Sequence, residues 1–172
     1  MIRNNVMSQN IKILRQLINE EQCQNSNLLD VSTLLTAAGN VDIDIEHISN
    51  ASLSEDIINA LQELNLSTSD ITKFCEKLTE YRYIDQIHML HKGKHIRWSR
   101  RTPSTETKIP ILTNGGIVVD IKFLDNGIYI LCKNGIRFIQ FRFDDCLVFQ
   151  KMSADEMLVL SCCDILRNQV VT

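Results

Sequence analysis

Asparagine–glycine pairs constrain the fold of this chain more than any other feature of its sequence. Asn126-Gly127 and Asn134-Gly135 punctuate three short segments, and Asn114-Gly115-Gly116 lies just upstream. These segments are 117–124, 128–133 and 136–143, all rich in β-branched and aromatic residues that favour strands. Asn-Gly is the preferred centre of a type I′ turn, which requires a positive φ at both central residues. The pattern therefore predicts an antiparallel three-stranded meander with two tight hairpins.

Alternation of apolar and polar residues predicts which face of the meander is buried. Successive side chains of a strand point to opposite faces, so residues two apart share a face. The polar residues Asp120 and Lys122 in the first segment, and Gln140 and Arg142 in the third, mark the solvent face. The predicted core residues are Val119, Ile121, Phe123, Ile139, Phe141 and Phe143.

The chain before the meander predicts helices. Apolar residues recur at helical spacing in 6–21, 28–38, 52–65 and 67–78. Gly39 is expected to end the second helix, and capping boxes are expected at Ser52-Leu53-Ser54-Glu55 and Ser153-Ala154-Asp155-Glu156. Ser67 opens the helix that follows the first capping box, and the second box opens a C-terminal helix.

The order of these elements indicates the fold class. Strands are predicted at His95–Arg100 and Cys146–Gln150 as well, while Tyr81–Ile84 either finishes a helix or begins a connector. Helices, then a run of strands, then one helix is typical of an α+β protein. A first strand separated by a long loop from a tight meander favours a small SH3-like or OB-like β-barrel.

Charge divides the chain into an acidic half and a basic half. Residues 1–80 hold 5 Lys/Arg and 12 Asp/Glu, a net charge of −7, whereas residues 81–172 hold 13 and 9, a net charge of +4. Such asymmetry indicates either modules with different partners or halves that dock on one another. We predict an acidic helical module at 1–80 and a basic small β-barrel domain with a C-terminal helix at 81–172.

Hydropathy and cysteine usage indicate the compartment. The longest apolar run, Met157–Cys163, is about a third of the ~20 residues that a membrane span needs. The first residues lack the apolar stretch of a secretory signal, so we expect a soluble intracellular protein with no membrane partner. The six cysteines lie mostly among apolar neighbours and are expected to be small core residues, not disulfides.

Four stretches of the C-terminal half form a distinctive set: Lys92–Trp98, Leu112–Val118, Ile130–Asn134 and Phe143–Lys151. With them, residues 80–168 resemble a small domain found in uncharacterised proteins of large nucleocytoplasmic DNA viruses. The resemblance implies a viral origin, with the protein in the host cytoplasm or the virion. It implies no activity and no functional residues.

One cluster of basic residues is the leading candidate for a binding site. It comprises Lys92, Lys94, Arg97, Arg100, Arg101 and Lys108, and residues 91–101 contain no acid. Cations beside Trp98 suit a phosphate backbone or a single strand, because cations neutralise phosphates and a flat ring stacks on bases. In an alternating strand, however, Arg97 and Trp98 point to opposite faces. The other interpretation is a solvated face that docks on protein, with Trp98 in the core.

Other constellations do not support catalysis. His88, His91 and His95 share a helical spacing, but Gly93 interrupts it and the neighbouring lysines repel a metal ion. The acids before Cys146 would raise a thiol pKa, the opposite of what an activated thiolate needs. We predict no catalytic, cofactor or metal site.

The sequence thus favours a non-enzymatic interaction module that binds another protein, in a viral setting a structural or accessory protein. The alternative is a nucleic-acid-binding accessory factor that uses the basic segment 92–108.

Overall fold

Helices come first in the described chain, strands follow, and one helix ends it, so the predicted α+β class is confirmed. The structure, a computed structural model, describes residues 11–15, 31–41, 48–102 and 109–170. The helices are α1 (the described helical residues 11–15), α2 (Val31–Asn40), α3 (Asn50–Gln62), α4 (Thr68–Lys77) and α5 (Ala154–Val170), with a 3-10 helix at Ile87–Met89. The strands are β1 (Tyr81–Ile84), β2 (His95–Arg100), β3 (Gly116–Leu124), β4 (Gly127–Asn134), β5 (Arg137–Arg142) and β6 (Cys146–Lys151).

Serine caps open three of the helices. At α5 the Ser153 hydroxyl accepts from the Glu156 N–H at 3.2 Å and the Glu156 carboxylate accepts from the Ser153 N–H, as predicted. Ser67 caps α4 by accepting from the Asp70 N–H, again as predicted. The capping box predicted at Ser52 is wrong: α3 begins earlier, and Ser52 exchanges hydrogen bonds with Ser49.

The chain divides into two units, Met1–Leu53 with Met152–Thr172, and Ser54–Lys151. The first unit packs α1, α2, the start of α3 and α5 around one apolar cluster that includes Leu14, Leu34, Val159 and Cys163. Gly39 lies inside α2, so the helix end predicted there is wrong. Among the described residues, no helix combines the length and the apolar character that crossing a bilayer requires. The module boundary near residue 80 was drawn from charge and stays a prediction.

The second unit is built on one antiparallel sheet with the strand order β1-β6-β2-β3-β4-β5. The meander β3-β4-β5 is confirmed, and Tyr81–Ile84 forms a strand. The predicted barrel is wrong, because closure would need a ladder between β1 and β5 and these strands are the two edges of an open sheet.

Apolar side chains cover both faces of the β1-β6-β2 half of the sheet. On one face Leu147 and Phe149 pack with α3 and α4 residues such as Leu61 and Leu78. On the other face Val148 packs with Trp98 and with residues of the meander. Strand β6 is therefore buried at every position from Cys146 to Gln150.

The sheet curls so strongly that side chains of β2 and β5 meet across it. The Trp98 ring of β2 stacks on the Phe141 ring of β5, with centroids 4.4 Å apart, although β3 and β4 separate these strands in the sheet. Such stacking adds about 0.5–1.5 kcal/mol beyond the burial of the two rings. Side-chain packing thus seals this core in place of a closing ladder.

Both hairpins form, but their turns differ from the prediction. Leu124 pairs with Gly127 and Asn134 pairs with Arg137, so the central residues are Asp125-Asn126 and Gly135-Ile136. Gly135 has φ +58° and none of the other three central residues has a positive φ. The prediction of type I′ turns centred on Asn-Gly is therefore wrong. The second turn needs glycine at its first central position only.

A β-bulge in β3 changes the predicted core face. The register shifts between Val118 and Asp120, so Val119 is an extra residue. Val118 is buried in its place, and the predicted core residue Val119 is 42% exposed. Phe123, also predicted for the core, still shares a face with Ile121 but is 70% exposed. In β5 the predicted core residue Phe141 is buried and Ile139 is 37% exposed.

We expect Phe149→Ala to lower the free energy of unfolding by about 3–5 kcal/mol, because it leaves a cavity at a fully buried site of β6. Phe123→Ala is the matched control, since its ring is 70% exposed, and should change stability by less than about 0.5 kcal/mol. Urea unfolding followed by circular dichroism measures both. Equal losses would contradict the assignment of β6 as a strand buried on both faces.

Candidate functional site

Most cations of the predicted basic cluster are engaged within the second unit. The Lys92 ammonium pairs with Asp120 of β3, and this contact lowers the pKa of the Asp120 carboxyl. The Arg101 guanidinium pairs with Glu63 beyond α3 and donates to the Tyr83 hydroxyl at 3.3 Å. Exposed pairs of this kind contribute little stability, about 0–1 kcal/mol each, but they hold the cations in place.

The remaining members of the basic cluster lie on different sides of the sheet. Arg97 donates from Nε to the Tyr81 hydroxyl at 3.3 Å, and its guanidinium lies 5.5 Å from the Tyr81 ring centroid. Arg100, three residues on, belongs to the opposite face of β2 because side chains alternate. Lys94 is half-buried in the turn before β2, and Lys108 lies outside the described residues. The cluster therefore does not form a single patch on the described surface.

Arg97 also belongs to a hydrogen-bonded group around Tyr81 and His95. The Tyr81 hydroxyl lies 3.1 Å from His95 Nδ1. Burial, followed by the positive charges of Arg97 and Lys151, lowers the pKa of His95 below its usual value near 6.5. The Tyr81 hydroxyl accepts from Arg97 and shares a second hydrogen bond with the His95 ring. This arrangement orders the β1–β2 face and leaves Arg97 occupied.

The other described histidines and the described cysteines form no metal-binding group and no activated thiol. Among the described residues, no group of three His, Cys, Asp or Glu side chains could hold a metal ion. Burial raises the pKa of Cys132 to about 12 and that of Cys146 to about 11, which keeps both thiols protonated. A protonated buried thiol is a poor nucleophile.

An open groove of about 540 Å³ lies between the end of β2 and the end of β5. Arg100, Arg101 and Arg142 line it together with Asp144 and Asp145. Arg142 lies 3.6 Å from Asp144 and 3.9 Å from Asp145, so this end of the groove is internally compensated. Arg100 is exposed and makes no ion pair with the other described residues.

Exposed apolar side chains concentrate in the meander. Of the eleven large hydrophobic residues that are exposed in the described part of the chain, seven lie in β3–β5 and their turns. These seven are Ile117, Val119, Phe123, Leu124, Ile136, Phe138 and Ile139. Three of the seven lie in β5 or in the turn before it: Ile136, Phe138 and Ile139. The β1-β6-β2 half of the same sheet is covered on both faces, whereas the meander half exposes apolar side chains.

Strand β5 also presents a free backbone edge. Its ladder partner is β4, and no described strand pairs with its other side. The Phe143 N–H donates to the Ile128 carbonyl at 2.8 Å. In the β4–β5 register, the odd-numbered residues of β5 are therefore those whose backbone groups bond to β4. The backbone N–H and C=O groups of Phe138, Gln140 and Arg142 therefore point outward. We call these three residues the β5 edge.

The sequence did not single out the β5 edge. It predicted the strand and placed Gln140 and Arg142 on the solvent face, but the edge position depends on where β6 inserts. The one available signal was Phe138, an aromatic residue on the predicted solvent face, which is 61% exposed.

No family model, curated protein or solved structure matches the chain.

We expect the free energy of unfolding to fall as the pH drops below about 6.5. The lowered pKa of His95 means that the unfolded chain takes up this proton at a higher pH than the folded chain does. The stabilisation is present above the unfolded pKa and is lost as the pH falls through the folded pKa. Urea unfolding between about pH 7.5 and pH 5 measures the slope, and His95→Gln should flatten it. An NMR titration that gives His95 a pKa of 6.5 or more would contradict this expectation.

Proposed function

We propose that this protein is a non-enzymatic interaction module that binds an extended segment of a partner protein along the β5 edge. The observation that carries the proposal is the free backbone edge of β5 among exposed apolar side chains. A strand added to a sheet gains main-chain hydrogen bonds, and pockets for alternate side chains supply specificity. The partner segment should therefore be extended, with apolar residues at alternate positions.

The β5 edge lacks most of the features that protect edge strands. Natural edges are blunted by a central charge, a proline, a bulge or a very short strand. Strand β5 has six residues, and its four central residues, Phe138 to Phe141, include no charge and no proline. Arginines stand only at its two ends. An edge left open in this way is suited to accept a strand.

The viral setting implied by the resemblance stays part of this proposal. In that setting the module would be a virion or accessory protein whose partner is another protein.

We expect extended peptides to bind this edge and to lose affinity when Phe138 is truncated. Heptapeptides selected from a random displayed library against the full chain serve as the probe, with affinity measured by fluorescence anisotropy. Phe138→Ala should weaken binding at least about tenfold, the equivalent of about 1.4 kcal/mol, because Phe138 supplies the large exposed apolar side chain of the β5 edge. Phe123→Ala is the matched control, since it removes an exposed ring on β3, away from the edge.

The location of the bound peptide tests the proposal independently of affinity. Amide exchange should slow at Phe138, Gln140 and Arg142, whose N–H groups would gain partners. Peptides that bind equally well to the Phe138 and Phe123 variants, or a library that yields no binder, would count against the proposal.

Nucleic-acid binding is the second candidate, and one observation favours it at a new location. On the solvent face of the meander the Lys133 ammonium lies 5.8 Å from the Phe138 ring centroid, with Lys122 and Arg142 on the same face. Cations beside an exposed ring suit a single strand, which needs both phosphate neutralisation and stacking. In the described part of segment 92–108, Arg100 is exposed and makes no ion pair with the other described residues.

If this second candidate holds, single-stranded oligothymidylate should shift in electrophoresis, and binding should fall steeply with salt. Lys122→Glu with Lys133→Glu should abolish binding at the sheet face, whereas Arg100→Glu should abolish binding at the segment 92–108. Arg97 and Arg101 are left unchanged, because their contacts with Tyr81 and Glu63 would confound folding with binding. No shift at low salt would exclude the candidate.

A further inference from the structure

We propose that the occupant of the β5 edge is a second copy of this chain, whose own β5 pairs antiparallel to the first across a twofold axis at Gln140. The inference rests on the proposed function and names the partner. The two sheets would join into one continuous sheet. A twofold axis makes the interface isologous, so the same edge residues serve both copies.

The outward-pointing backbone groups match themselves about Gln140. In this register Gln140 pairs with the second copy's Gln140, and Phe138 pairs with its Arg142. Each pair joins two residues whose N–H and C=O groups already point outward. Two hydrogen bonds for each of the three pairs give about six between the copies. All six residues of β5 lie within the overlap.

The side chains are also complementary in this register. On the solvent face Phe138 lies opposite a guanidinium, which favours a cation–π contact. On the other face Ile139, which is 37% exposed, lies opposite Phe141 of the second copy.

Two other registers are disfavoured. Moving the twofold axis to Arg142 places Arg142 directly opposite itself, and like charges directly opposite one another are destabilising. Moving the axis to Phe138 places Gln140 opposite Ile136, which lies in the β4–β5 turn and cannot extend the ladder. Charge and turn position therefore disfavour the registers centred on Arg142 and on Phe138.

Sedimentation velocity of the full chain from about 1 to 100 µM tests self-association, since a dimer with a micromolar Kd is populated over this range. We expect a monomer–dimer equilibrium in the wild type. Gln140→Pro should weaken dimerisation at least tenfold, because it removes an outward N–H without removing a β4–β5 hydrogen bond. Gln140→Ala is the matched control and should dimerise as the wild type does. Circular dichroism checks that both variants fold.

Two further variants test the register. In a bonded antiparallel pair the Cα atoms lie about 5.5 Å apart, within reach of a disulfide. Gln140→Cys should therefore form a covalent dimer on mild oxidation, whereas the wild type and Lys122→Cys should not. Phe138→Lys should disrupt the dimer by opposing Arg142, and adding Arg142→Glu should restore it.

The outcomes separate this inference from the proposed function. A wild type that stays monomeric at 100 µM, or a dimer that neither Gln140→Pro nor Phe138→Lys weakens, would overturn the second-copy inference. Selected peptides that still bind the monomer at the β5 edge would in that case leave the proposed function standing. A dimer that forms a Gln140→Cys disulfide and is disrupted by Phe138→Lys supports the inference whether or not any library peptide binds.

Discussion

The burial of β6 is the constraint on which the second unit depends. Five consecutive residues of this strand, Cys146 to Gln150, are buried, so the strand needs apolar cover on both faces and a hydrogen-bonded neighbour on each side. Strands β1 and β2 supply the neighbours, α3 and α4 cover one face, and the curled meander covers the other. The buried Gln150 is accommodated because its side-chain carbonyl accepts from the His91 N–H at 2.8 Å. A strand with one face exposed to solvent would not require this arrangement.

The way in which the core is sealed determines what is left exposed. Because the Trp98 and Phe141 rings stack across the curl, the apolar interior is closed without any ladder between β1 and β5. A closed barrel has no edges, whereas this sheet keeps two. The β5 edge is therefore present because packed side chains, and not a backbone ladder between β1 and β5, close this core. Both the proposed function and the second-copy inference depend on this difference.

Local signals in the sequence predicted the elements, and long-range contacts decided the rest. The α+β class, the meander and the caps at Ser67 and Ser153 follow from spacing within a few residues. The bulge at Val119 and the insertion of β6 between β1 and β2 do not, because they depend on packing between distant segments. The barrel was therefore predicted from a list that lacked β1 (Tyr81–Ile84), and with an incorrect closure.

The same distinction applies to the candidate site. The basic cluster is evident in the sequence, but the acids that pair with Lys92 and Arg101 are Asp120 and Glu63, each more than 25 positions away. No local pattern reveals that these cations are engaged. Phe138 is also visible in the sequence as an aromatic residue on the predicted solvent face, but its importance depends on the edge position of β5. Charge clusters are thus easier to find than open edges and here carry less information about binding.

The open edge can be traced to the composition of β6. A fourth strand of the meander would ordinarily turn back and pair with β5, which would cover its edge. The segment after the Phe143–Asp145 turn is apolar on both faces, and a strand of that kind is more stable at the centre of a sheet than at its rim. It therefore leaves β5 and pairs between β1 and β2. Because β6 is buried between β1 and β2, the outer side of β5 has no partner among the described strands. A strand from outside the unit can pair there.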